Sequence, residues 1–221
     1  MGCPSLQTTY QDPWTDTNTL LDNWVIGSMF NTPIGARPWT AKVAIVAGPA
    51  RLSITAIGNS PQTTAFPLFM IPNQYDHGQV SKKNQYAQAK LTTFTGSVGS
   101  KLVGPAVLIS NKNNAGGGGS FYYAATDRVN GLRLLAWNGG IYRILASGFT
   151  VVATDTVRIE VTIGGSSNDI KIFKNGVQQG STVTDSDATR PTTGMSGLIA
   201  DIASDGATDV SDWNDFNGGA L

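Results

Sequence analysis

Glu160 is the only glutamate of the chain and His77 the only histidine, so two side chains that enzymes often use to move protons are present once each. A retaining glycoside hydrolase needs a nucleophilic carboxylate and a second, acid/base carboxyl about 5–5.5 Å away. Glu160 lies in Arg158-Ile159-Glu160-Val161-Thr162, where no second carboxylate shares its side of a strand, and it reads as a polar-face residue rather than a catalyst. His77, in Gln74-Tyr75-Asp76-His77-Gly78, has an aspartate beside it, as a general base would, but no nucleophile accompanies it. No serine stands in a nucleophile-elbow sequence, and the single cysteine, Cys3, is terminal. One cysteine and one histidine also exclude zinc on ligand count. The expectation is a protein that is not an enzyme, with Phe69, Tyr75 and His77 as candidate subunit contacts.

Binding chemistry is better represented. Sugar recognition uses aromatic faces with polar groups at their edges. Trp137-Asn138, at a hairpin end, forms a candidate carbohydrate-binding set with Tyr123 and Tyr142; Tyr122, Trp39 and Tyr86 are further aromatic candidates. Core or interface packing is the competing role for every one of these rings. Tyr122 and Tyr123 are adjacent on a strand and face opposite sides, so at least one belongs to the core. Trp14, Trp24 and Trp213 read as plugs at the ends of a sandwich.

The elements that position these residues are strands. In 221 residues, 40% are hydrophobic and only 14% charged, well under the ~25% of ordinary soluble domains, which leaves a surface of Thr, Ser, Asn, Gln and Gly. Fifteen basic and fifteen acidic residues cancel, so the chain has no electrostatic footprint for nucleic acid or anionic lipid. A lone cysteine means that packing, not a disulfide, holds the fold. Neither a signal-peptide pattern nor a run of ~20 apolar residues occurs, and Leu6 breaks the myristoylation pattern that Met1-Gly2 begins. A soluble protein with no membrane partner is expected.

Turn signals separate short candidate strands at Thr40–Ala47, Arg51–Ile57, Gln85–Thr95, Pro105–Ser110, Ser120–Thr126, Gly131–Trp137, Ile141–Ala146, Thr156–Ile163, Asp169–Lys174 and Gly194–Ile202. In Thr156–Ile163 the alternation predicts Val157, Ile159, Val161 and Ile163 inward, with Arg158, Glu160 and Thr162 outward. The inward stripe is expected to continue through Ile170, Ile172 and Val177, with Lys171 and Lys174 outside. Asn175-Gly176 marks a two-residue hairpin turn, because both residues tolerate positive φ. Gly58–Asn84, with three prolines, reads as a long excursion holding a short strand at Leu68–Ile71; Asn111–Ser120 reads as a flexible tip and 185–193 as a turn-rich connection.

The hairpin Asp155–Thr184, the run Gly118–Leu145 and the closing Asp212-Trp213-Asn214-Asp215-Phe216 together resemble the concanavalin A-like lectin/glucanase family, which includes LamG-type modules. The resemblance implies an all-β, antiparallel two-sheet jelly roll in which the first and last strands pair. On that basis residues 1–11 are an N-terminal arm, 12–217 one domain and 218–221 a flexible tail. The family's hydrolases carry two glutamates flanking an aspartate on one strand, a motif absent here. Some members hold a structural Ca²⁺ near the meeting termini, which makes Asp12, Asp16, Asp212 and Asp215 the candidate calcium ligands, although turn and strand-end roles are the favoured account of them and no cofactor is required. The leading expectation for function is a virion structural protein, a capsid decoration or head/tail appendage of a bacteriophage, contacting neighbouring capsid subunits or further copies of itself. The alternative is a carbohydrate-binding module or lectin with glycan partners.

Overall fold

The computed structural model describes residues 9–12, 24–28, 39–45, 52–58, 66–72, 84–95, 101–110, 119–127, 131–138, 141–202 and 209–221, with side chains described mainly from 84 onward. The strands are β1 (Thr9–Asp12), β2 (Trp24–Ser28), β3 (Trp39–Ile45), β4 (Leu52–Gly58), β5 (Phe66–Pro72), β6 (Gln85–Thr95), β7 (Lys101–Ile109) and β8 (Ser120–Asp127). They continue as β9 (Gly131–Asn138), β10 (Ile141–Phe149), β11 (Thr156–Ile163), β12 (Asn168–Lys174), β13 (Val177–Asp185), β14 (Met195–Ile202) and β15 (Asp209–Ala220). No described helix is long and apolar enough to cross a membrane.

They form two antiparallel sheets. One has eight strands in the order β13-β12-β11-β6-β15-β4-β3, with β1 joining β15; the other has seven, in the order β10-β9-β8-β7-β14-β5-β2. The core between them takes the inward residues of each: Ala87, Ala89 and Leu91 of β6 and Val157, Ile159 and Val161 of β11 meet Tyr122, Leu132 and Leu134. β11 follows its alternation, with Arg158 and Glu160 half-buried on the outer face and Thr162 exposed.

Buried Gln85 stitches the sheets together. Where the β7–β14 register shifts, Leu108 takes a left-handed φ of 55°, and its amide donates to Gln85 Oε1 at 3.3 Å while Gln85 Nε2 donates to the Gly194 carbonyl at 2.6 Å. Backbone groups freed by the bulge are thus answered from the opposite sheet, as buried polar groups must be.

Several expectations change. The closing residues are not a loose tail. Gly218 pairs with Ala87 and Tyr10, Gly219 with Tyr86 and Thr9, and the Leu221 amide donates to the Asn84 carbonyl at 2.9 Å. A polar, Gly-rich segment is held there because it lies between two strands. The end of the N-terminal arm, Thr9 to Gln11, is likewise paired. Inside the Gly58–Asn84 excursion, β5 is a full strand between β2 and β14. Val177 is 65% exposed, because it sits opposite Lys174 at the hairpin tip, past the cover of the other sheet. Lys174 shares the parity of Ile170 and Ile172, and its Nζ turns to the Thr150 carbonyl at 3.0 Å. Trp213 is buried in the core between the sheets rather than plugging one end.

Candidate functional site

Three of the four proposed sugar-contacting residues come together. Register places Trp137 beside Phe121 of β8 and Tyr142 of β10, and Tyr123 beside Leu135, all on the outer face of the seven-stranded sheet. The rings form a row: Phe121 lies edge-on to Tyr123 at 5.2 Å and stacked on Trp137 at 6.2 Å, and Trp137 lies edge-on to Tyr142 at 4.4 Å. Edge-on and offset arrangements are those that aromatic quadrupoles favour.

Tyr123 and Trp137 are nevertheless interior residues, at 0% and 2% exposure. With Ala106, Ile109, Leu135, Met195 and Ile199 they make a second buried cluster on the face opposite the sandwich core. A sugar has no access to their faces, which corrects their reading as platforms. The signal was in the sequence: Phe121-Tyr122-Tyr123-Ala124-Ala125 and Leu134-Leu135-Ala136-Trp137 are continuous apolar runs, the pattern of strands covered on both sides. Tyr142, on the edge strand, is half-buried. Asn138 Nδ2 donates to the Thr189 carbonyl, so it ties down a turn.

Behind this row, sequence reasoning missed a polar clasp between the sheets. Arg143 of β10 grips Asp185 of β13 with two parallel hydrogen bonds of 2.8 and 2.9 Å. Tyr122 Oη donates to Asp185 Oδ2 at 2.7 Å, and Asn168 Nδ2 donates to Tyr122 Oη at 3.1 Å and to the Pro191 carbonyl at 2.6 Å. Burial pushes the Asp185 carboxyl up, but the hydrogen bonds from Arg143, Tyr122 and the Asp187 amide outweigh it and hold the group below the usual carboxylate range. Burial, then donation to Asp185, raises the Tyr122 phenol. The one advance signal was the Asp/Ser/Thr-rich turn 185–189, where Asp187 Oδ1 accepts from the Thr189 amide and hydroxyl.

On the outer face of the eight-stranded sheet, Arg158 Nη2 meets Glu160 Oε1 at 2.7 Å, and the guanidinium lies 4.0 Å over the Tyr86 ring. Tyr86 Oη donates to Asn217 Oδ1 at 2.6 Å. The sole glutamate is therefore engaged in a surface network.

The pairing of β1 with β15 sets Asp12 opposite Phe216, next to Asp215, so part of the candidate calcium set is drawn to one sheet position. Asp215 is exposed with a φ of 52°. Asp16 and the side chains of Asp12 and Asp212 lie outside the described residues, among which no three metal-ligating side chains converge. Phe69 sits on β5 opposite Ile199 and Gly27, its side chain undescribed; Tyr75 and His77 lie outside the described residues.

No protein-family model matches the chain, and no curated protein matches its sequence. Solved structures do. A lichenase from a mouse hindgut metagenome, a β-1,3-1,4-glucanase, superposes with a TM-score of 0.58 at 8% identity over 96% of this chain and 99% of its own. The β-glucanase of Bacillus licheniformis gives 0.57 at 10% identity, over 96% and 98%. The lectin UEA-II, solved with galactose, gives 0.55 at 10% identity, over 98% and 100%. Two antiparallel sheets, the paired first and last strands and these likenesses agree: the chain has the concanavalin A-like jelly-roll fold.

Proposed function

We propose that this domain binds carbohydrate without cleaving it, at the Tyr142 end of the aromatic row. The observation that carries the reading is Tyr142: its ring is braced edge-on by Trp137 at 4.4 Å and is half-buried, while the rings behind it are closed off. A ring held rigid from behind and only partly buried suits stacking on a sugar. The charge-poor, Asn/Gln/Thr-rich composition suits a neutral glycan. That Glu160 is engaged by Arg158 supports the non-catalytic half of the proposal.

The similar β-1,3-1,4-glucanase and the galactose-complexed lectin suggest the first probes, mixed-linkage β-glucan oligosaccharides and galactose, for calorimetric titration. Binding that weakens about tenfold in Tyr142→Ala, with the fold intact, is expected from the loss of a stacking partner. No binding to either sugar, or binding indifferent to Tyr142, sinks the proposal; release of reducing sugar restores an enzymatic reading. Affinity unchanged by EDTA is expected, and its loss would bring Asp12, Asp16, Asp212 and Asp215 back as a calcium site.

A second reading, a structural subunit of a bacteriophage particle, draws on Ile141, Ile144, Val152 and Val177, each 60–65% exposed on or beside the edge strands β10 and β13. Neighbouring subunits would cover such side chains. Mass spectrometry of purified particles, counting this chain against the major shell protein, tests it: near-equal copies support decoration, and absence ends it.

A further inference from the structure

The chain has four Asn-Gly pairs, at 130–131, 138–139, 175–176 and 217–218. Asn-Gly is the peptide sequence most open to deamidation, because glycine leaves its backbone nitrogen unhindered. The Gly nitrogen bonds to the asparagine side-chain carbonyl carbon and loses its proton, the bond from that carbon to Nδ2 breaks, and ammonia departs. Water then opens the succinimide at either carbonyl, giving aspartate or isoaspartate.

At 175–176 this chemistry meets a restraint. Asn175 Oδ1 accepts from the Thr156 amide at 2.8 Å, its Nδ2 donates to Asp155 Oδ1 at 2.6 Å, and its own backbone amide donates to the Thr156 carbonyl at 2.8 Å. Asp155 is itself fixed, 6% exposed, with Oδ2 accepting from the Val152 amide at 2.9 Å. The backbone opposes cyclisation as well. Asn175 and Gly176 have φ of 51° and 80° between the paired Lys174 and Val177, a two-residue turn of the left-handed type. The paired turn fixes these backbone angles, so the ring cannot be closed by free rotation at Asn175.

We propose that Asn175 is a latent deamidation site guarded by Asp155, modified only when the β12–β13 turn opens. The product closes the way back. Conversion of the Asn175 amide to a carboxylate replaces the donor facing Asp155 with an acceptor of the same charge, so the corner that protected the site repels itself and the turn stays loose.

Peptide mapping by mass spectrometry, after incubation of the folded chain in mildly alkaline buffer, tests this, with the other three pairs as internal references. In the wild type Asn175 is expected to remain amide long after the fully denatured chain has lost it. In Asp155→Ala, deamidation at 175 alone should quicken roughly tenfold to hundredfold, the range set by one charge-assisted hydrogen bond. Rapid loss at 175 in the folded wild type, or an unchanged rate in Asp155→Ala, overturns the proposal. If all four pairs quicken together, the variant has unfolded, and Asn175→Asp decides. Its unfolding equilibrium should shift at least about tenfold toward the unfolded state at neutral pH. Wild-type stability of Asn175→Asp at neutral pH overturns the guard.

Discussion

Arg143 and Asp185 are the only charged residues of their strands, and they are paired with each other across the open side of the sandwich. The Asp185 side chain is 3% exposed, so its charge is tolerable only while the guanidinium and the Tyr122 hydroxyl face it. Removing one partner of such a pair costs more than the pair contributes, because the survivor is left buried and charged. Arg143→Ala should therefore destabilise by about 3 kcal/mol in urea unfolding at neutral pH. Since the folded Asp185 titrates below its unfolded value, its contribution is complete above about pH 4–5 and is lost as pH falls through the folded value. Asp185→Asn should accordingly flatten the acid limb of the stability profile below about pH 4; a limb as steep as that of the wild type would place the acid sensitivity elsewhere.

At the scale of elements, β10 and β13 are edge strands that lean on each other without sharing a ladder. Gly180, at φ 67°, lies under the Phe149 ring, and a Cβ there would meet ring carbons at 3.1 Å. Both strands also carry register shifts, which spoil them as templates for another chain. Gly180→Ala should cost about 1–2 kcal/mol from the left-handed backbone and the displaced ring. In a Phe149→Ala background the ring term vanishes, so a double-mutant cycle should leave only the backbone part, and full additivity would show that the ring does not rest there. The same strands mark how far the sequence could be read. β6 and β11 were legible to the residue because each has one wet face and one dry face, and their alternation is the pattern being sought. β10 was read three residues short, because its bulges break the period after Ile144. β8 and β9 were found as strands, yet their rings were assigned to a surface, since burial on both faces removes the contrast that distinguishes in from out. The Arg143–Asp185 clasp joins residues 42 apart on different sheets, and no local pattern records such a pair.

Across the whole molecule, the ends of the chain close the eight-stranded sheet. β15 is flanked by β6 along one side and by β4 and then β1 along the other, so the last residues occupy the interior of the sheet rather than its rim. Nothing in Asn217-Gly218-Gly219-Ala220-Leu221 announces this, for small and polar residues have weak strand preference and Gly is costly to order. Their stability comes from position: Gly218 and Gly219 pair on both sides, and the Leu221 amide reaches the Asn84 carbonyl. Deleting 218–221 strips these backbone partners from β6 and β1 and uncovers the packing of Phe216, whose ring a Cβ at Gly218 would touch at 2.8 Å. At about 0.5–1.5 kcal/mol for each lost hydrogen bond, several of them amount to about 3–5 kcal/mol, a large part of the 5–15 kcal/mol that usually separates folded from unfolded. The truncated chain should show a urea midpoint far below that of the full chain, with amides of β6 losing protection from hydrogen exchange before those of β11. An unchanged midpoint would mean that the ladder ends at Asn217 and that the closure of the sheet rests on β4 and β6 alone.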